Sequence, residues 1–143
     1  MSEIFRERRE FRNIHALTDL PSYRLPAAAW VSILHRISGA LMFLLFPFII
    51  WMFDVSVSSE ISFARFTRAF SDGLWLFPGW IVKLVTLSLI WAYLHHLIAG
   101  LRHLYLDVDH DCGKVFGQRS AVLTLGLSLA LTLLLGMKLF GLY

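Results

Sequence analysis

Residues 32–46 read SILHRISGALMFLLF. From Ile37 the run carries no charge, and it continues uncharged to Phe53 before Asp54 ends it. A bilayer-spanning helix needs about 20 mostly apolar residues, so this stretch reads as the body of a membrane span. Yet it opens on His35 and Arg36, side by side, where hydrocarbon would begin. What that pair does there is the main question the chain poses.

Two further runs repeat the pattern. Residues 84–101 and 121–137 contain no Asp, Glu, Lys or Arg. With the flanking aromatic residues, the predicted spans are 30–53, 80–101 and 121–142. Composition agrees: 57% of the 143 residues are hydrophobic and 16% are charged, against about 25% charged in a soluble domain. The expected fold is an all-α integral membrane protein, one membrane-anchor domain over 1–143. A segment 1–29 precedes the spans. Three helices enclose little, and these carry polar residues, so they are expected to form part of a heteromeric helical bundle completed by another chain. Pro47 is expected to kink the first span, because it lacks an N–H and crowds the preceding turn.

Charge orients the helices. Arg6, Arg8, Arg9, Arg12, Arg24, Arg36, Arg102, Lys114 and Arg119 fall on one side, nine of the thirteen basic residues. The positive-inside rule makes that side cytoplasmic, with the amino terminus inside and the carboxyl terminus in the periplasm of a bacterial inner membrane. The first residues hold arginines without the short apolar core of a secretory signal, and Glu3, Glu7 and Glu10 argue against a transit peptide. The basic balance follows from membrane-flanking arginines and implies no nucleic acid. In the loop between the first two spans, Phe63, Phe66 and Phe70 recur at helical spacing, with Arg65 and Arg68 on another face. That pattern predicts an interfacial helix over 60–71, lying on membrane lipid.

Ionisable groups inside a span cost about 2.5–3.5 kcal/mol at its centre on insertion scales, so each invites an explanation. Ser32 and Arg36 are four residues apart and share a helix face, with His35 beside them. They read either as interfacial side chains reaching lipid phosphates or as donors to an anionic or carbonyl-bearing ligand at the inner membrane edge. In YLHHLIAGLRH (residues 93–103), His96, Gly100 and His103 fall at i, i+4 and i+7. His96 reads either as an interhelical hydrogen-bonding group or as an axial ligand to a haem iron, with Gly100 clearing the face for a flat ring. His95 points about 100° away, so the two histidines do not serve one ring equally. The segment DVDHDC (residues 107–112) holds ligand types but no standard metal spacing, and reads as a solvated loop. Cys112, the single cysteine, forms no internal disulfide.

SILHRISG (residues 32–39), followed one span later by HLIAGLRHLYLD (residues 96–107), resembles the cytochrome b-type membrane anchor of succinate dehydrogenase, the larger of its two hydrophobic subunits. The likeness covers nearly the whole chain, in the order and depth of both motifs. It implies the following. His96 is the axial ligand of haem b, hence the metal ligand to its iron. His35 and Arg36 lie near the haem propionates. Ser32 and Arg36 are the quinone-binding pair. The second axial ligand comes from the other small anchor subunit, while the flavin and iron–sulfur clusters belong to a flavoprotein and an iron–sulfur subunit. The doublet His95–His96 departs from the family motif, which needs one histidine, and spacing selects His96. The chain alone holds no complete active site. Two other readings stay open: a quinol:fumarate reductase anchor of the same architecture, and a haem-free helical membrane protein with a structural or transport role.

Overall fold

A computed structural model describes residues 15–19, 22–109 and 113–142. Arg6, Arg8, Arg9 and Arg12, and the His110, Asp111 and Cys112 end of the candidate metal segment, lie outside the described residues. The described residues form six helical elements: α1 (Ala16–Asp19), α2 (Ala27–Leu44), α3 (Phe46–Val57), α4 (Glu60–Ser71), α5 (Gly79–Val108) and α6 (Lys114–Leu139). No strand longer than an isolated bridge occurs among them. Helices α2, α5 and α6 are each long and apolar enough to cross a bilayer.

The first apolar run is divided. Leu45, at φ −90° and ψ 6°, separates α2 from α3. Pro47 has no N–H for the Phe43 carbonyl four residues back, which is the physical cause of the break. Hydrogen bonds still bridge it, from the Leu45 N–H to the Leu41 carbonyl at 3.0 Å and from Ile49 to Leu45 at 3.0 Å. Helix α4 begins on a reciprocal cap: the Ser59 hydroxyl accepts from the Ser62 N–H, and the Ser62 hydroxyl accepts from the Ser59 N–H.

Helix α5 runs through the middle, packed on α2 along one side and α6 along the other. At 30 residues it is about 45 Å long, so its carboxyl end, with Arg102, His103 and Asp107, has length to spare beyond a hydrocarbon core of about 30 Å. The three helices meet on small residues. Val31, Ala99 and Ala121 are wholly buried against Ala27, Ala28 and Leu125. Ser38, Thr124, Ser128, Thr132 and Gly136 are buried too, while Phe43, Leu44, Leu123 and Leu133 are exposed. Polar and small groups inside with leucines outside is the inverse of a soluble core, and it suits a solvent of lipid tails.

Candidate functional site

The His35–Arg36 pair lies in the third turn of α2, opposite the second half of α5. Three histidines line up in that seam. The His35 and His96 rings stack with centroids 4.0 Å apart and planes 19° from parallel. His103 follows on the other side of His35, at 5.3 Å.

Glycines make the row possible, reciprocally. A Cβ on Gly39 of α2 would stand 3.0 Å from Cε1 of His96, which belongs to α5. A Cβ on Gly100 of α5 would stand 3.4 Å from Nε2 of His35, which belongs to α2. Each helix receives the other's imidazole over a glycine. Within this chain, the His35 ring stands above Gly100.

The hydrogen-bond network assigns the tautomer of His96. Its Nδ1 lies 3.0 Å from the His35 backbone carbonyl. A carbonyl only accepts, so Nδ1 carries the proton. The Ser38 hydroxyl donates to the same carbonyl at 2.8 Å, and its oxygen lies 3.2 Å from Nδ1. Nε2 is then the bare nitrogen with a free lone pair. Metal-bound histidines characteristically donate their other N–H to a carbonyl or carboxylate, which fixes the ring and raises its basicity. Ser38 is the member of this site that sequence reading missed. A signal was present, a serine three residues after His35 on one helix, but its role depends on which α5 residue faces it.

His95 has a different fate. It is fully buried, turned toward α6, where its Nδ1 lies 3.2 Å from the Ser128 hydroxyl. Its ring stacks on Trp91, centroids 5.6 Å apart. Its Nε2 has no hydrogen-bond partner among the described residues. His95 thus bonds Ser128 of α6 and also approaches the Val31 backbone of α2, whereas His96 is held by the His35 carbonyl of α2.

Ser32 and Arg36 share a face of α2. Ser32 is half-buried and Arg36 exposed, and their side chains make no hydrogen bond or ion pair among the described residues. Arg102 is committed elsewhere: Nε donates to the Ser120 hydroxyl at 3.0 Å and Nη2 to the Gly117 carbonyl at 2.9 Å. That clasp ties the end of α5 to the start of α6, and charge counting along the sequence gave no sign of it.

The donor set fits a haem approached from this chain. It offers one imidazole with a bare Nε2 and a fixed tautomer, and a free guanidinium at the aqueous end for a carboxylate. It does not fit a bare metal ion, since no group of three ligating side chains comes together among the described residues.

Comparison with known proteins bears on the same residues. Residues 12–135 match the model of a family described as succinate dehydrogenase/fumarate reductase transmembrane subunit. The chain is similar to the succinate dehydrogenase cytochrome b556 subunits of Paracoccus denitrificans (34% identical over 91 residues, 64% of this chain and 65% of that one) and Coxiella burnetii strain RSA 493 / Nine Mile phase I (38% over 90 residues, 63% and 67%). A third, from Rickettsia felis, is 25% identical over 91 residues, 64% of each chain. The matched stretch thus spans just under two thirds of the Paracoccus protein.

Proposed function

This chain belongs to the succinate dehydrogenase/fumarate reductase transmembrane subunit family, and we propose that within it the chain is the haem b- and quinone-binding anchor of a succinate:quinone oxidoreductase. The observation that carries this reading is the His96 imidazole, its Nδ1 proton held by the His35 carbonyl and its Nε2 lone pair left for iron. The b556 names of its relatives agree with a haem of b type.

In this reading His96 would hold the haem iron from this chain, together with a residue of the second small anchor subunit. His35 and Arg36 lie by the haem propionates. Haem b, when bound, supplies a one-electron store beside the quinone. Ser32 and Arg36 bind ubiquinone, both donating toward a carbonyl oxygen on the face they share. As electrons arrive from the iron–sulfur and flavin centres of partner subunits, negative charge grows on that oxygen. A guanidinium stabilises the charged form more than the neutral one, so Arg36 favours reduction. Each quinone takes up two electrons and two protons to become a quinol, and the exposed position of Arg36 opens the site to protons from water at the membrane edge. The basic asymmetry supports a cytoplasmic position for this edge in a bacterial inner membrane.

The first test is a reduced-minus-oxidised visible spectrum of the purified complex. A b-type α band is expected, and its absence would leave the histidine seam a purely structural feature. The family description spans fumarate reductases too, so turnover is to be measured in both directions. Faster quinol-driven fumarate reduction with a low-potential quinol would reassign the anchor to that enzyme.

A further inference from the structure

At the opposite end of the bundle, the helix joining the first two spans forms a second site. Arg65 and Arg68 line a groove of about 410 Å³ whose other walls are Trp51, Ala69, Asp72 and Trp75. Neither guanidinium makes a hydrogen bond or ion pair among the described residues. Asp72 lines the same groove, and Glu60 shares a second groove with the same two arginines.

This groove shares Trp51, Leu74 and Trp75 with a neighbouring cavity of about 280 Å³, which Phe48 and Phe77 complete. One cavity carries unpartnered guanidiniums and the other is apolar, and they adjoin across Trp51, Leu74 and Trp75. Such a pair matches an amphiphile with an anionic head.

The frame is stiff. Gly73, at φ 99°, leaves no room for a side chain against the Phe77 carbonyl, and a Cβ on Gly79 would meet the Phe70 and Ser71 carbonyls at 2.6 Å. Leu74 and Phe77 exchange backbone hydrogen bonds of 2.8 and 2.7 Å, closing a tight turn. At its tip Trp75 takes φ 51°, a left-handed conformation costly for a bulky residue. Trp75 and Leu76 are 102% and 91% exposed. A strained, fully exposed Trp–Leu tip is unfavourable in water and favourable in the headgroup layer, where tryptophan concentrates.

We propose that these adjoining cavities bind one anionic phospholipid of the leaflet remote from the histidine seam. Arg65 and Arg68 hold its phosphodiester, and an acyl chain lies along Phe48 and Phe77. The site does not depend on the haem or quinone reading.

The test uses the whole purified complex, reconstituted in nanodiscs of equal phosphatidylglycerol and phosphatidylcholine and then washed with detergent, with retained lipid counted by native mass spectrometry. Each arginine near the membrane surface is expected to tighten an anionic lipid about fivefold, so the wild type should prefer phosphatidylglycerol by about thirtyfold. R65Q/R68Q should fall to no preference. W75S should lose lipid of both kinds while keeping the preference. Equal retention of both lipids by the wild type would overturn the proposal, as would an R65Q/R68Q complex with unchanged preference. Inorganic phosphate that displaces the bound lipid would also overturn it, by showing a simple anion site. If the double variant fails to assemble, R65Q and R68Q singly decide, each expected to lose about fivefold.

Discussion

Helix α5 presents adjacent histidines to two seams, and the seams treat them differently. Toward α2, His96 is half-buried, its Nδ1 proton held by the His35 carbonyl and its ring cradled over Gly39. Toward α6, His95 is sealed from all solvent, with Ser128 at one nitrogen and nothing at the other. The hydrogen bonds alone do not separate them. Ser128 donates its own proton to the Leu125 carbonyl at 3.1 Å, so His95 Nδ1 is the donor there too, and both imidazoles carry a bare Nε2. Access separates them. His96 is half-buried, whereas His95 is fully buried between Ser128 and Trp91. A half-buried imidazole, the proposed ligand, and a packing contact thus arise from the same residue type, one position apart.

The most direct attempt to break this contrast replaces each histidine in turn. His96→Ala is expected to abolish the reduced α band of the complex, and His95→Ala to keep it. Spectra of membranes normalised to complex content decide. A band lost with His95 and kept without His96 would reverse the assignment and make the sealed seam the ligand site.

The second test moves to the mouth of the open seam. A hydrogen bond to a charged donor contributes about 1.5–3 kcal/mol, and each 1.36 kcal/mol is tenfold in rate when it acts on the transition state. Arg36→Leu should slow quinone reduction about ten- to a hundredfold, and Ser32→Ala somewhat less. Succinate oxidation by a soluble artificial acceptor should be unchanged in both. Haem content is to be measured in parallel, because the same guanidinium stands near the propionates in the proposed arrangement. Full quinone reductase activity in both variants would leave the His–Arg pair to the haem or the lipid headgroups.

Much of this was legible in the sequence, for a reason that also marks the limit. Insertion into a bilayer depends on composition along one dimension, so three apolar runs were enough to read three spans. The direction of His95 relative to His96 needs only the helical period. What the sequence leaves open is register between helices. Ser38 bonds the carbonyl that holds His96, Gly100 receives His35, and Arg102 clasps Ser120, and each contact depends on how far α2 and α6 slide along α5. The break at Leu45 lay between these cases: Pro47 announced a kink, but not that α2 would end at Leu44.

The glycines sharpen the contrast further. On Gly39 an added methyl meets His96 Cε1 at 3.0 Å and Nδ1 at 3.3 Å, and that ring is held by its hydrogen bond and by the stack with His35. Gly39→Ala should therefore cost about 1–3 kcal/mol, the usual range for overpacking, and shift the α band. On Gly136 the nearest atom, at 2.9 Å, is the Cδ1 of Leu87, the end of a flexible chain that can turn away. Gly136→Ala should cost less and leave the spectrum unchanged. A spectrum moved by Gly136→Ala but not by Gly39→Ala would mean that the α2 seam does not set the imidazole.

The smallest expected effect tests the sealed seam itself. Ser128 keeps its hydrogen bond to Leu125 whether or not His95 is present, but His95 loses its one side-chain partner if Ser128 is lost. The pair should therefore respond asymmetrically. Ser128→Ala removes the side-chain partner of a fully buried imidazole, which costs about 1–3 kcal/mol, read as earlier thermal unfolding of the purified complex. His95→Leu removes the unpartnered Nε2 and keeps an apolar side chain of similar bulk against Trp91, so it should change stability by less than about 1 kcal/mol, in either direction. Neither change should move the haem spectrum or the rate with quinone. A His95→Leu complex that unfolds earlier than Ser128→Ala would mean that the imidazole makes a favourable contact on its far nitrogen. The sealed seam would then be a polar site in its own right, and the contrast with the open one would fail at that atom.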